Sequence, residues 1–156
     1  MTNVYAGQER ALGSFVIMST SSPTATARYE GELHTEATHL ASGTVIQTDA
    51  PVDNHGRGAA FSPTDLVGTA LATCILTTMG IVAERHQLDL TGATVDMKKH
   101  MTPEPPRRIA QLDIQLHLPA RLSDTERRLM ERTAHTCPVA LSLHPDIKQE
   151  ISFVYA

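Results

Sequence analysis

Residues 62–87 read SPTDLVGTALATCILTTMGIVAERHQ, and this stretch decides the fold. Ser62 is a favourable helix N-cap, Pro63 suits the first helical position, and Asp65 follows the cap by three residues, a variant of the capping box. The run from Leu66 to Ala83 then carries no charge. The pattern predicts a long helix over 62–87, about 39 Å from end to end if every residue is helical.

The uncharged run is also close to the minimum length of a membrane-spanning helix. It contains four Thr and two Gly, however, and charged residues close it tightly at both ends, Asp65 on one side and Glu84-Arg85 on the other. A helix that is apolar on most sides is also what the centre of a globular core requires. We therefore expect a central helix buried on most sides and no membrane partner.

Length and composition bound the remaining possibilities. A chain of 156 residues fits one domain with a sizeable core. The net charge of −4 argues against a nucleic-acid-binding surface, which needs clustered Lys and Arg. Two cysteines without a signal-peptide pattern predict a reducing, cytoplasmic location.

Segments before the helix are predicted as an arm followed by strands. Residues 1–23 end in the linker-like stretch STSSP and are predicted to form a flexible arm, with 24–156 as a single domain. Alternating residues from Ala27 to Glu36 predict one half-exposed strand. A turn at 40–43 and a second strand at 44–48 complete a hairpin, and a loop over 49–58 leads to the helix.

Segments after the helix complete an α+β pattern. Ser123 and Glu126 form a capping box that begins a second helix, which Cys137-Pro138 ends or kinks. The predicted elements are strands over 93–101 and 107–118, the second helix over 124–136, and a final strand over 147–155.

Cys74 lies in the middle of the long helix. A buried Cys on an apolar helix usually behaves as a small hydrophobe. It lies eleven residues past Pro63, beyond the reach of the helix dipole, so an activated thiolate would need a cation from elsewhere.

Cys137 introduces a second possibility. It lies at the predicted C-terminus of the second helix, beside His135 and Pro138, where the dipole disfavours a thiolate. That position suits a resolving thiol better than an attacking one. The two cysteines can therefore form a peroxidatic and resolving pair, although the sequence leaves open whether they meet.

Three short stretches carry a resemblance to a known family. They are SPTDL ahead of Cys74, AHTCP around Cys137, and the turn LHPDI at 143–147. With a spacing of 63 residues between the cysteines, they resemble the OsmC/Ohr family, which handles organic hydroperoxides. The resemblance runs from about Arg28 to Tyr155. It implies an OsmC/Ohr-like α+β fold, with a long buried central helix packed against an antiparallel sheet, and an intertwined homodimer.

The resemblance also implies a thiol peroxidase. The Cys74 thiolate would attack a small organic hydroperoxide to give a sulfenic acid, and Cys137 would condense with it into a disulfide. A dithiol such as a lipoyl group would then reduce the disulfide. No cofactor and no metal are implied, and eight His without an HxxxH or CxxC pattern add no metal signal of their own.

Two positions depart from the peroxidase branch, which sets an Arg beside the thiolate and holds it with a Glu. Thr64 stands at the Glu position, and no Arg occurs around 39–43, where the Arg position falls. The chain thus resembles an OsmC-like branch without that activating pair.

Four residues are candidates to support Cys74 in place of that pair: Arg57, Asp65, Thr64 and His39. Arg57 lies in the glycine-flanked loop before the helix, and its alternative role is a solvated loop charge. Asp65 lies about 14 Å along the helix from Cys74 and on the opposite face, so it could reach a cysteine only across an antiparallel dimer. Its alternative role is to stabilise the helix N-terminus.

Three functional hypotheses therefore remain. The first is a peroxidase acting through Cys74 and Cys137. The second is a non-enzymatic dimer of the same fold that binds a small apolar or electrophilic ligand in the cysteine cleft. The third is a stable fold in which the cysteines only pack.

Overall fold

The computed structural model describes residues 22–156, so the predicted arm lies outside the described residues except for its last two positions. Within these residues the chain forms two three-stranded sheets and three α-helices, with one 3-10 turn at Val52–Asn54. The strands are β1 (Ala25–Gly31), β2 (His34–His39), β3 (Val45–Asp49), β4 (Thr94–Met101), β5 (Ile109–Leu118) and β6 (Lys148–Tyr155). The helices are α1 (Pro63–Arg85), α2 (Asp124–Ala134) and α3 (Pro138–Ser142). The predicted α+β class is confirmed.

The first sheet corrects the prediction of a single strand through Glu36. β1 and β2 are separate antiparallel strands, and a tight turn at Glu32 and Leu33 joins them. Gly31, Glu32 and Leu33 all have positive φ, of 92°, 49° and 63°. A positive φ is uncommon for Leu, and polar–apolar alternation continues through so short a turn, so the pattern concealed it.

Helix α1 begins as the sequence predicted. The Asp65 N–H donates to Ser62 Oγ at 3.1 Å, and the Ser62 N–H donates to Asp65 Oδ2 at 2.8 Å, which completes the capping box. The helix ends at Arg85, two residues before the predicted end. A Cβ on Gly68 would lie 2.7 Å from Sδ of Met97, so this glycine lets α1 approach β4 closely.

The second sheet is mixed, where an antiparallel sheet was expected. β4 and β5 are antiparallel, but β6 runs parallel to β5. The reason is the connection: α2 and α3 return the chain to the end of the sheet at which β5 began. One face of this sheet packs against α1, and both α2 and α3 also contact α1.

The core lies between α1, α2 and the second sheet. Its fully or almost fully buried side chains include Leu71, Ile75, Met79, Leu112, Ile114, Leu116 and Met130. By length and composition α1 could cross a membrane, but its packed face is also what a core helix presents. The opposite face of α1 is exposed and uncharged over Ala70, Thr73, Thr77 and Ile81.

Candidate active site

Cys74 lies in the middle of α1 and is partly exposed. Its side chain packs against the hydrophobic core, and its carbonyl accepts a hydrogen bond from Thr78 Oγ1 at 2.8 Å. The thiol thus lies on α1 at the boundary between the core and the exposed face of the helix.

Cys137 lies at the start of a helix, which corrects the predicted position at a helix end. Helix α2 ends at Ala134, and Cys137 is the N-cap of the short helix α3. Pro138 at the next position explains the break, because proline cannot continue a helix but is favoured as its first residue. The Cys137 side chain is fully buried, and its Sγ accepts a hydrogen bond from the Ala140 N–H at 3.3 Å.

The two thiols are neighbours, although 63 residues separate them in the chain. Burial raises the pKa of the Cys137 thiol, and a hydrogen bond and charge repulsion from Cys74 raise it further. The N–H groups of Ala140 and Val139 lower the pKa of Cys137, but burial outweighs them. The raised pKa keeps the buried Cys137 thiol protonated. Cys74, in contrast, is partly exposed to solvent. Both thiols are free in this structure.

Two of the predicted supporting residues contact groups of the first sheet and its loop. Arg57 Nη1 lies 3.2 Å from Glu32 Oε2, and Arg57 Nε lies 3.9 Å from Asp49 Oδ2. His39 is exposed, with Nδ1 lying 2.7 Å from Ser42 Oγ. Within residues 22–156, these contacts do not extend to either cysteine.

Thr64 and Asp65 belong to a cluster around Lys99 at the start of α1. Lys99 Nζ donates to Thr64 Oγ1 at 2.7 Å and to Ser62 Oγ at 3.1 Å, and it lies 2.7 Å from Asp65 Oδ1. Burial opposes the Asp65 charge, but hydrogen bonds from Lys99 and Ser62 outweigh it and lower the pKa of Asp65.

Lys99 was missed in the sequence, although one signal was present. On β4 it follows Val95 and Met97 in the inward phase of the strand, and its side chain is only 13% exposed. A lysine in the apolar phase of a strand indicates a buried partner for its charge.

Asp49 is a second residue that the sequence did not single out. Its carboxylate is fully buried at the end of β3, with Oδ1 lying 3.0 Å from His34 Nδ1 and Oδ2 accepting from the Ala59 N–H at 2.9 Å. The Ala59 and His34 hydrogen bonds outweigh desolvation and lower the pKa of Asp49. This carboxylate fixes the loop that connects the first sheet to α1.

A cavity of about 410 Å³ lies between that loop, the first sheet and the start of α1. Its walls are largely apolar and include Tyr29, Leu33, Pro51 and Met101, with Thr64 and Arg107 among the polar groups. Neither cysteine lines it. Within residues 22–156, no group of three His, Cys, Asp or Glu side chains could hold a metal ion.

Comparison with known proteins decides the family. The sequence model of the OsmC-like protein family matches residues 55–152, which include both cysteines. The chain belongs to the OsmC family. A protein from Psychrobacter arcticus, named for osmotic stress induction and a detoxification response, is similar to this OsmC-like chain at 43% identity. That match has a TM-score of 0.84 and covers 88% of this chain and 100% of the other.

More distant OsmC-family structures share the α+β fold with its two sheets. An organic hydroperoxide resistance protein OsmC from Legionella pneumophila is 18% identical, with a TM-score of 0.65 over 85% of this chain and 98% of the other. An organic hydroperoxide resistance protein from Vibrio cholerae, with captopril bound in one of its active sites, is 20% identical. Its TM-score is 0.67 over 88% of this chain and 94% of the other. No curated protein sequence matches the chain.

Proposed function

We propose that this OsmC-like protein is a cytoplasmic, thiol-dependent peroxidase that reduces organic hydroperoxides through Cys74 and Cys137. One observation carries the proposal: a partly exposed thiol lies beside a fully buried one, and they are the two cysteines of the chain. The names of the Legionella and Vibrio relatives, which refer to organic hydroperoxide resistance, support the same chemistry.

The proposed reaction has two steps before regeneration. The Cys74 thiolate attacks the terminal oxygen of the hydroperoxide, the O–O bond breaks, and the alkoxide leaves and takes a proton to become an alcohol. Cys137 then loses its proton and attacks the sulfenic sulfur of Cys74. The hydroxide leaves as water, and a Cys74–Cys137 disulfide remains for a dithiol reductant, such as a lipoyl group, to reduce.

The surroundings of Cys74 favour an organic substrate. The exposed residues of α1 around Cys74 are Ala70, Thr73 and Thr77, and no charged residue occurs between Leu66 and Ala83. Because an alkyl group that covers this uncharged surface removes apolar area from water, an organic hydroperoxide gains binding energy there that hydrogen peroxide does not.

The proposal includes a homodimer, which two uncovered faces of the chain support. In the first sheet, cross-strand partners place uncharged residues on one face, among them Ala27, Tyr29, Ala37 and Ile46. Tyr29 is 64% exposed and Ile46 is 46% exposed. The uncharged face of α1 from Ala70 to Ile81 is exposed as well. A second copy that covers the face of the first sheet and part of the α1 face would remove this apolar surface from water.

A second candidate function is a non-enzymatic dimer that binds a small apolar or electrophilic ligand at the cysteines. The observation that favours it is the engagement of the candidate activating groups elsewhere. Arg57 pairs with Glu32 and Asp49, and Asp65 pairs with Lys99. A thiol without a nearby cation reacts slowly with peroxides, because the thiolate is the nucleophile.

One experiment separates the two candidates. The reduced protein is mixed with one equivalent of cumene hydroperoxide, quenched with N-ethylmaleimide after set times, and digested with trypsin for mass spectrometry. Trypsin places Cys74 in the peptide 58–85 and Cys137 in the peptide 133–148, so the two thiols are read separately. The same reaction with hydrogen peroxide measures the preference for an organic substrate.

The peroxidase predicts a disulfide between these two peptides within seconds, and its loss in Cys74→Ser. In Cys137→Ser, the sulfenic acid of Cys74 should persist and react with dimedone. If both thiols of the wild-type protein stay free for an hour, the peroxidase proposal fails and the binding function remains.

A further inference from the structure

The sulfurs of the proposed disulfide differ sharply in accessibility. Cys74 is partly exposed on α1, whereas the Cys137 side chain has no exposed surface and belongs to the hydrophobic core with Met130 and Ala134. Any reagent that approaches the pair from solvent therefore reaches Sγ of Cys74 first.

Accessibility matters because thiol–disulfide exchange is directional. The incoming thiolate bonds to one sulfur while the other sulfur leaves on the opposite side, and the rate depends on which sulfur can be reached. Attack on Cys137 would require the reductant to enter the space between α2, α3 and the core. Attack on Cys74 requires only the access to this partly exposed thiol that the peroxidase proposal already requires for the hydroperoxide.

We propose that the regenerating dithiol attacks Sγ of Cys74, so that Cys74 is the cysteine that meets both the oxidant and the reductant; this inference rests on the proposed peroxidase function. A bond forms between the reductant sulfur and Cys74 Sγ, and the Cys74–Cys137 bond breaks. Its electron pair passes to Cys137 Sγ, which takes up a proton. The second thiol of the dithiol then attacks the reductant sulfur bound to Cys74, which releases the Cys74 thiolate and a cyclic disulfide.

The environment of Cys137 is suited to a leaving sulfur that does not meet solvent. Its Sγ already accepts a hydrogen bond from the Ala140 N–H, which stabilises charge on the sulfur as the S–S bond breaks. Burial then disfavours a lasting thiolate, so Cys137 returns to its protonated form. Cys137 thus serves as an internal partner of Cys74 in both halves of the cycle.

The test begins from a disulfide made without peroxide, so that it is independent of peroxidase activity. The wild-type protein is oxidised with diamide, and the excess reagent is removed. One equivalent of the monothiol 2-mercaptoethanol is added, because a monothiol cannot complete the second step. Samples are quenched with N-ethylmaleimide at early times and digested with trypsin.

The readout is the distribution of the mercaptoethanol adduct between peptides 58–85 and 133–148. We expect the adduct on Cys74 in excess over Cys137 by about tenfold or more, with maleimide on Cys137, because access decides which sulfur is attacked. The same reaction in concentrated urea removes the difference in access and should bring the ratio to within about twofold. Mixed disulfides prepared on Cys74→Ser and Cys137→Ser calibrate the two peptide signals.

Equal labelling of the two peptides in the native protein, or a preference for Cys137, would overturn the inference. A strong preference for Cys74 that persists unchanged in urea would also overturn it, because the cause would then be local sequence. A diamide-treated protein without a disulfide likewise overturns it. A protein that fails to consume cumene hydroperoxide, yet is reduced at Cys74, would refute the peroxidase and leave the direction of attack standing.

Discussion

Lys99 Nζ lies 2.7 Å from Asp65 Oδ1, and this ion pair joins strand β4 to the first turn of α1. The Lys99 side chain is 13% exposed and also donates to Thr64 and Ser62. The N-terminus of the long helix is therefore anchored by a strand that lies more than thirty residues later in the chain. The contact occupies Thr64 and Asp65, two of the four residues that the sequence offered as support for Cys74.

Lys99→Met should destabilise the protein more at neutral pH than in acid. Methionine keeps the apolar stem but removes the ion pair and two hydrogen bonds, a loss of about 1–3 kcal/mol in the free energy of unfolding. The lowered pKa of Asp65 gives a contribution that is present above the unfolded carboxyl pKa and is lost as pH falls through the folded one. Urea unfolding at pH 7 and pH 3, followed by circular dichroism, measures the difference.

Lys98→Met is the matched control for that variant. Lys98 precedes Lys99 on the same strand, but its side chain is on the exposed face of the sheet. A cost for Lys98→Met as large as that for Lys99→Met, or a Lys99→Met cost that is the same at both pH values, would contradict the role given to the Lys99–Asp65 pair.

Thr77→Arg should convert the proposed dimer into a monomer. Thr77 lies in the exposed, uncharged face of α1, and an arginine there would place an unpaired charge in a dry interface, which costs several kcal/mol. Size-exclusion chromatography with light scattering measures the mass of the particle. Gln115→Arg, on the exposed face of β5, is the control and should keep the wild-type mass. A dimer that tolerates Thr77→Arg would place the interface elsewhere.

Tyr155→Phe should remove a hydrogen bond that the wild-type protein loses only in strong alkali. Burial, followed by the hydrogen bond to Glu131, raises the pKa of Tyr155 to about 12. The hydroxyl donates to Glu131 Oε1 at 2.9 Å, and its loss should cost about 1 kcal/mol at neutral pH. Because the unfolded state releases this proton near pH 10, the contribution disappears as pH rises towards 12.

Tyrosinate absorbance during an alkaline titration checks the assignment. The wild-type protein should show a late step near pH 12 that Tyr155→Phe lacks, and Tyr29→Phe should retain. A titration in which Tyr155→Phe keeps the late step would show that another tyrosine is responsible.

Much of the framework could be predicted because it depends on neighbours in the sequence. Ser62 and Asp65 form the capping box that their spacing predicted, and Ser123 and Glu126 form the second one. The α+β order follows from hydrophobic periodicity, and the family follows from the stretches around the two cysteines. The β1–β2 turn escaped prediction because Leu33 adopts a positive φ that carries no sequence signal.

The sequence by itself determined where α1 begins, that Leu66 to Ala83 is uncharged, and which two residues can do thiol chemistry, since these depend on residue type and short spacing. The tertiary structure decided that Cys137 is buried while its neighbour Cys74 is partly exposed, and that Lys99 takes Asp65 as its partner. Those outcomes depend on contacts between residues more than thirty positions apart. Packing around the shared core brings these residues together, so their spacing along the chain does not specify the contacts.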